Sequence, residues 1–416
     1  MAVTQETVST FSNLLKEWYT DDRVEDMAYK RNALHALLPK MTTFGGKNLP
    51  IPIVFGTTQG GSANFTTAVA NKGNTKSKEF LLTRASDYSL ASIGREAVLA
   101  SEQDRGAFLE AAKTNIDGAI RGATRSIAIA EYRAGTGVRG QVSSGSNVAT
   151  TAVTLADVNA VTNFEVGMVI QLSATNGGGA VRTGTAEIAA VNRVTGVLTF
   201  TATLSSTISA AAASDFIFRA GDYGAVLSGI DAWILPATAR PSAAGTDSHF
   251  AVDRFSDLVR LAGVYHDGTG QSIEEALLDG QSKVAREGGA VDHIFINNVQ
   301  YRQLMKSLGS KVMYTPTKAE ATARVYFSGV EIMGDAGPIK IIPDQNCPSS
   351  TAYALQLDTW KLYSLGEAPH IFDKDTDQEM LRESGTDGYE LRTGYYANLG
   401  CRAPGWNGRI ELAAAV

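Results

Sequence analysis

The stretch from Ser101 to Tyr132 constrains this chain more than any other. Phe108, Ala112, Ile116, Ala119, Ile120, Ala123, Ile127 and Ala130 recur at spacings of three and four, which places them in one stripe along a helix. At ~1.5 Å per residue the helix would run roughly 45–50 Å. Ser101 with Asp104 three positions on resembles a capping box at its start. Gly106, Gly118 and Gly122 interrupt it. Each costs about 0.5–1 kcal/mol relative to alanine, so the helix needs a surface to pack against closely. Arg121 and Arg125 exclude lipid as that surface.

What precedes the helix has two textures. Residues 4–38 carry Val8, Phe11, Leu15 and Trp18, then Val24, Met27, Leu34 and Leu37, at helical spacing, and Pro39 stops the pattern. From residue 47 the period falls to two. Leu49, Ile51, Ile53 and Phe55 alternate with Pro50 and Pro52, which predicts an edge strand, because both missing N–H donors lie on one side. A second β-like run extends from Lys78 to Ile93. The pair predicts one long hairpin with a flexible glycine-rich tip carrying Lys72, Lys76 and Lys78. A two-stranded ribbon is marginal alone in water, so it must lie on something.

After the helix, residues 134–223 are rich in Gly, Ser, Thr and Ala and lose helical periodicity. Short β-like runs at 166–172, 187–191, 197–201 and 216–219 predict a small all-β domain inserted into a host fold. Asn192-Arg193-Val194-Thr195-Gly196 supplies turn chemistry between two of them. From residue 224 the pattern is mixed, with helices predicted at 271–287 and 298–308 around a strand at His293–Asn297. Further strands are expected at 325–333, 338–342, 352–357 and 359–364, and alternation returns over 389–412.

Composition narrows function by exclusion. The chain has 416 residues, and its 37 basic and 43 acidic side chains give a formal charge of −6, which offers no basic footprint for gripping nucleic acid. Charged residues are 19%, below the ~25% typical of soluble domains, as suits a surface hidden in contacts with its own copies. Two cysteines, Cys347 and Cys401, are too few for a disulfide framework and read as reduced thiols. The N-terminus lacks the pattern of a signal peptide, and no apolar run reaches the length of a membrane span.

Catalytic and ligand motifs fail on context. Gly135-Thr136-Gly137-Val138-Arg139-Gly140 spells a dinucleotide fingerprint, yet it follows a helix where that motif must follow a strand and open one. Asp373, Asp375 and Asp377 have the spacing that begins an EF-hand, but the sixth position is Gln378 and the twelfth Ser384. The five histidines are scattered without metal-ligand spacing. The expectation is no enzyme, no cofactor and no metal. Trp18, Trp233, Trp360 and Trp406 read as core or interface anchors.

The order of elements then becomes informative: an N-terminal arm, an extended hairpin, one very long helix, and an α/β region with a late return strand. This order resembles the major capsid proteins of tailed bacteriophages, with their Hong Kong 97-type fold. Three local texts share the resemblance. They are Ile294-Phe295-Ile296-Asn297 leading into Tyr301-Arg302-Gln303-Leu304, Gly329-Val330-Glu331-Ile332 followed by Gly337-Pro338-Ile339-Lys340-Ile341, and Tyr389-Glu390-Leu391-Arg392 running to Ile410-Glu411-Leu412. The fold class implied is α+β, with an arm at 1–45, an E-loop hairpin at 46–98, a spine helix at 99–133, an inserted β-rich domain at 134–223, an axial domain at 224–365 and a return to the peripheral domain at 366–416.

The resemblance further implies self-assembly into hexamers and pentamers of an icosahedral shell around double-stranded DNA. Portal and scaffolding proteins would be partners, a decoration protein a further one, and membranes would play no part. Synthesis and assembly would take place in the host cytoplasm, and the product would be the virion capsid. In such proteins the hairpin crosses a neighbouring subunit. Lys72, Lys76 and Lys78 would then meet a neighbour's acidic groups, with Asp373, Asp375, Asp377 and Glu379 as one candidate set. The alternatives are an encapsulin-type nanocompartment shell and a β-rich tail or surface adhesin.

Overall fold

A computed structural model describes residues 32–95, 105–308, 330–371, 381–382, 385 and 387–414. The arm before residue 32, the capping residues Ser101 and Asp104, and the acidic set Asp373, Asp375, Asp377 and Glu379 lie outside the described residues. Among the described residues, no helix is long and apolar enough to cross a membrane.

The chain first forms a short helix α1 (Ala33–Leu37), which ends where Leu38, ahead of Pro39, turns extended. The strands β1 (Lys40–Met41), β2 (Leu49–Gly56), β3 (Lys76–Leu82) and β4 (Ala85–Gly94) follow, with a helix α2 (Phe65–Ala70) between β2 and β3. Then comes the long helix α3 (Arg105–Ala130), within the span that the apolar stripe predicted. It lies against β4, and Gly122 faces Ser89 there, with a built Cβ 3.7 Å from the serine Oγ.

The predicted single hairpin is two things. β2 and β3 form a two-stranded ribbon in which Ile51 faces Phe80 and Ile53 faces Lys78. The run breaks at Thr83 and Arg84, and β4 leaves the ribbon to pair along its whole length with a strand more than 290 residues later in the chain. The physical reason is burial: Ile51, Ile53, Phe80 and Leu82 all enter the main hydrophobic core, so the ribbon lies on its own subunit. The tip also differs from expectation, since α2 replaces the flexible loop. Asn64 caps it, its side chain accepting from the N–H groups of Thr66 and Thr67.

Residues 138–219 form a six-stranded sheet of β5 (Val138–Gln141), β6 (Ala152–Thr154), β7 (Val169–Ser173), β8 (Ala186–Asn192), β9 (Val197–Phe200) and β10 (Phe216–Arg219). Their spatial order is β5-β10-β7-β8-β9-β6. A bridge between Val142 and Leu155, with Ala156 N–H donating to Gln141 O at 2.8 Å, joins the two ends and closes the sheet into a small barrel. Its interior is a separate cluster containing Phe164, Leu172, Ile188, Leu198 and Ile217. The turn at 192–196 forms as its residues suggest, with Asn192 accepting from the N–H groups of Val194 and Thr195 and Gly196 at φ +67°. A short helix, α4 (Leu204–Thr207), lies between β9 and β10.

Downstream, α5 (Ile230–Trp233) precedes a mixed sheet of order β11-β20-β15-β12-β14-β13. Its strands are β11 (Val264–Gly268), β12 (His293–Ile296), β13 (Val330–Gly334), β14 (Gly337–Pro343), β15 (Thr351–Leu355) and β20 (Gly408–Leu412). The helices α6 (Ile273–Arg286) and α7 (Asn298–Leu308) match the predicted pair. A capping box between Ser272 and Glu275 starts α6, and Asn297 accepts from Val299 N–H at the start of α7. A third sheet gathers β1, β4, β16 (Trp360–Ser364), β17 (His370–Ile371) and β18 (Leu381–Arg382) around the long β19 (Gly388–Cys401).

Candidate inter-subunit surface

The ribbon's free edge is built to refuse another strand. Leu81 N–H donates to Phe250 O at 2.9 Å, so Leu81 turns its backbone away from β2. Its cross-strand partner Pro50 does the same, and by the two-residue period so does Pro52. The outer edge of β2 therefore presents carbonyls without N–H groups at both positions, the edge-strand arrangement that the sequence predicted.

The ribbon is also clamped to the body. Phe80 packs against Trp233, with ring centroids 5.0 Å apart, and against His249 at 6.1 Å. His249 stands edge-on to Trp233 at 4.8 Å and beside Phe250 at 4.3 Å. At the distal end Lys78 donates to Asp253 O and to Ser256 Oγ, with its ammonium 5.9 Å from the Phe55 ring centroid. Arg260 donates to Phe55 O at 2.6 Å. Of the three lysines singled out from sequence, Lys78 is thus engaged within its own subunit, while Lys72 and Lys76 stand exposed.

Only residues 57–75 project beyond the clamp, and they carry a surface that sequence reading missed. Phe65 is 83% exposed, and Val69, one turn further along α2, is exposed beside it. No residue of α2 is buried. A six-residue helix has no stability of its own in water, so the Asn64 cap holds in place an apolar face that none of the described residues covers. The signal was present in the sequence as an asparagine cap followed by apolar residues four apart. At the foot of the tip a groove of about 530 Å³ runs between Pro52–Thr57 and the turn Pro404–Trp406. Val54, 65% exposed, and Trp406, 42% exposed, are its apolar walls.

His249 gives the clamp a pH dependence. Burial, and then the Arg254 charge, push its pKa well below the usual imidazole value. Its ring is partly covered, and Nε2 is enclosed without a hydrogen-bond partner. The folded subunit therefore holds His249 neutral, whereas the unfolded chain takes up a proton below about pH 6.5. Its contribution is fully present above that pH and is lost as pH falls below it, by up to about 1.4 kcal/mol per pH unit. The denaturation midpoint of the unassembled subunit should drop between pH 6.5 and 5, and more steeply for the wild type than for His249→Leu. Parallel pH profiles for the two proteins would show that this histidine is not the group responsible.

Among the described residues, no group of three or more His, Cys, Asp or Glu is placed to hold a metal ion. Gly135 and Gly137 sit at φ +80° and +85° in the turn between α3 and β5, which opens a strand and no phosphate-binding helix. Cys347 and Cys401 are free and buried, and burial raises both thiol pKa values, that of Cys401 to about 12.

Comparison with known proteins places these features in a family. No curated protein matches the sequence. Among solved structures, the chain is similar to the cyanophage A-1(L) capsid asymmetric unit, with 14% identity over 98% of this chain and 99% of that one and a TM-score of 0.56. The capsid of a native GTA particle gives 8% identity and a TM-score of 0.47 over 99% of this chain and 100% of that one. The holo-SrpI encapsulin complex of Synechococcus elongatus PCC 7942 gives 5% and 0.45 over 100% and 98%. The family described as SU10 major capsid protein matches residues 144–388, more than half of the sequence. All strands of the barrel but β5, and all strands of the mixed sheet but β20, together with its two helices, fall within that span, and on this match the chain belongs to the SU10 major capsid protein family.

Proposed function

We propose that this capsid protein builds, by self-association into hexamers and pentamers, the icosahedral shell of a tailed phage that encloses double-stranded DNA. The family match carries the reading. The tip helix supports it, because an apolar face that none of the described residues covers suits contact with another molecule. In this reading the fold is of the Hong Kong 97 type. Residues 1–45 are the arm, 46–98 the E-loop, 99–133 the spine helix, 134–223 an inserted domain, 224–365 the axial domain and 366–416 the peripheral return.

The E-loop crosses a neighbour with its tip, residues 57–75, while its stem stays on its own subunit. Lys72 and Lys76 meet a neighbour's carboxylates, for which Asp373, Asp375, Asp377 and Glu379 are the set named from sequence. The role is structural and involves no catalysis. DNA is enclosed without sequence preference, consistent with the net charge of −6. Portal, scaffolding and decoration proteins complete the particle, which assembles in the host cytoplasm.

Cryo-electron microscopy of the purified protein at assembly concentration is the test. Closed shells or rings of five and six, with the 134–223 barrel as a separate density, are expected. A persistent trimer with the barrel at its tip would instead favour the adhesin.

A further inference from the structure

We propose that Asn176 loses its side-chain amide to attack by the backbone nitrogen of Gly177, a self-modification of the β7–β8 loop assisted by the Thr136 hydroxyl. It stands whether or not the subunit assembles into a shell.

Asn-Gly occurs twice in the chain, at 176–177 and 407–408, and every other asparagine is followed by a residue with a side chain. Glycine eases attack by the following nitrogen, because no Cβ crowds its approach. At the first pair the asparagine is exposed, in the loop between β7 and β8. Thr136, in the turn between α3 and β5, donates its hydroxyl to Asn176 Oδ1 at 2.7 Å. Gly177 has a φ of +95°, and a Cβ built there lies 2.7 Å from Thr136 Cγ2, so loop and turn meet at a glycine. Gly179 N–H donates to Tyr223 Oη at 2.9 Å and ties the far side of the same loop.

The reaction needs only water. Gly177 N bonds to Asn176 Cγ, the Cγ–Nδ2 bond breaks, and the proton of Gly177 N–H leaves with Nδ2 as ammonia. The cyclic imide then takes up a water and opens at either carbonyl, giving aspartate or isoaspartate at position 176. In the attack, negative charge gathers on Oδ1, the atom to which Thr136 already donates. That bond does not hold Nδ2, the nitrogen that must leave.

The second pair is built the opposite way. Asn407 is fully buried, and its Oδ1 accepts from Gln356 N–H at 2.9 Å and Trp360 Nε1–H at 2.8 Å. Its Nδ2 donates to Ala403 O at 2.8 Å and Thr359 Oγ1 at 3.0 Å. Both ends of that amide are fixed, so Cγ cannot turn toward Gly408 N.

The experiment ages the full-length protein in mildly alkaline buffer and follows both positions by peptide mass spectrometry, with released ammonia as a second readout. Acid should accumulate at 176 while 407 stays an amide. Thr136→Val keeps the shape of the side chain and should slow conversion at 176 about tenfold, less than the loss of an enzyme's oxyanion donor because the site is wet. Thr136→Ser should restore the rate. In urea both pairs should convert alike and the Thr136→Val effect should vanish, which a sequence effect alone would not do. Equal conversion at 176 and 407 in the folded protein, or an unchanged or faster rate in Thr136→Val, would overturn the proposal.

Discussion

Gly229→Ala should leave no stably folded subunit, at a cost of about 4 kcal/mol or more. Gly229 sits where the chain, returning from the barrel, crosses the C-terminal end of α3. A Cβ built there lies 2.2 Å from Glu131 O and 2.3 Å from Ala130 O. Those are backbone atoms, which cannot rotate away as a side-chain tip can. The crossing is pinned on both sides, with Gly229 N–H donating to Arg133 O at 2.8 Å and Ile230 N–H to Glu131 O at 2.7 Å. Making room means breaking these bonds and lifting Ile230 and Trp233, both buried, out of the main core. Gly229 has a φ of −86°, so its backbone conformation is open to any residue and the effect is one of space alone. Gly221→Ala is the matched control. Gly221 has a φ of +89° with nothing within 4 Å of its built Cβ, so the substitution costs only the left-handed penalty of roughly 1–2 kcal/mol. Soluble yield and urea midpoints of the two variants check this, and equal midpoints would show that the crossing yields.

What could be read ahead of the structure followed from periodicity. The stripe on α3, the alternation in β2 and the patterns of α6 and α7 all reflect local side-chain burial, which is written in neighbouring residues. The barrel was legible as a change in texture, and its short strands β7 to β10 as β-like runs. Its β5 and β6 were not, because three or four residues lined with Arg139, Gly140 and Thr154 carry no period. The pairing of β4 with β19 was beyond reach for a different reason: Leu90 opposite Arg392 and Tyr88 opposite Gly394 spell no complementary pattern, and the contact is made by chain topology. The same holds for the surface. The exposed lysines could be named from sequence, but that Lys78 is spent on Asp253 and Ser256 depends on a fold-back of 175 residues. The groove at Trp406 exists only because β2 and the 404–406 turn meet in space.

Arg219→Ala should destabilise the subunit by about 3–5 kcal/mol, as expected when one partner is removed from a buried ionic cluster. Arg219 ends β10 and donates to Asp87 on β4 and to Asp222, the latter at 2.9 Å. Asp222 is also 3.4 Å from Arg139 on β5, which donates to Ser126 of α3 at 3.1 Å. Two arginines of the barrel and two carboxylates, one of them on β4, thus share one site, and this ties the barrel to the strand and helix beneath it. Burial, then the Arg219 charge, lower the Arg139 pKa, while Asp222 and Asp87 act against that lowering. Truncating Arg219 leaves Asp87, with 7% of its side chain exposed and Oδ2 already without a partner, to face the core as an uncompensated carboxylate. The cost should therefore be recovered in large part by Arg219→Met combined with Asp87→Asn, which removes the charge on both sides. A double-mutant cycle on urea midpoints measures the coupling. If the cluster ties barrel to body, Arg219→Ala should also split one unfolding transition into two, because the barrel keeps its own closed sheet and core when the tie is cut. A single transition with a shift under about 1 kcal/mol would show that other contacts, the Gly229 crossing among them, hold barrel and body together.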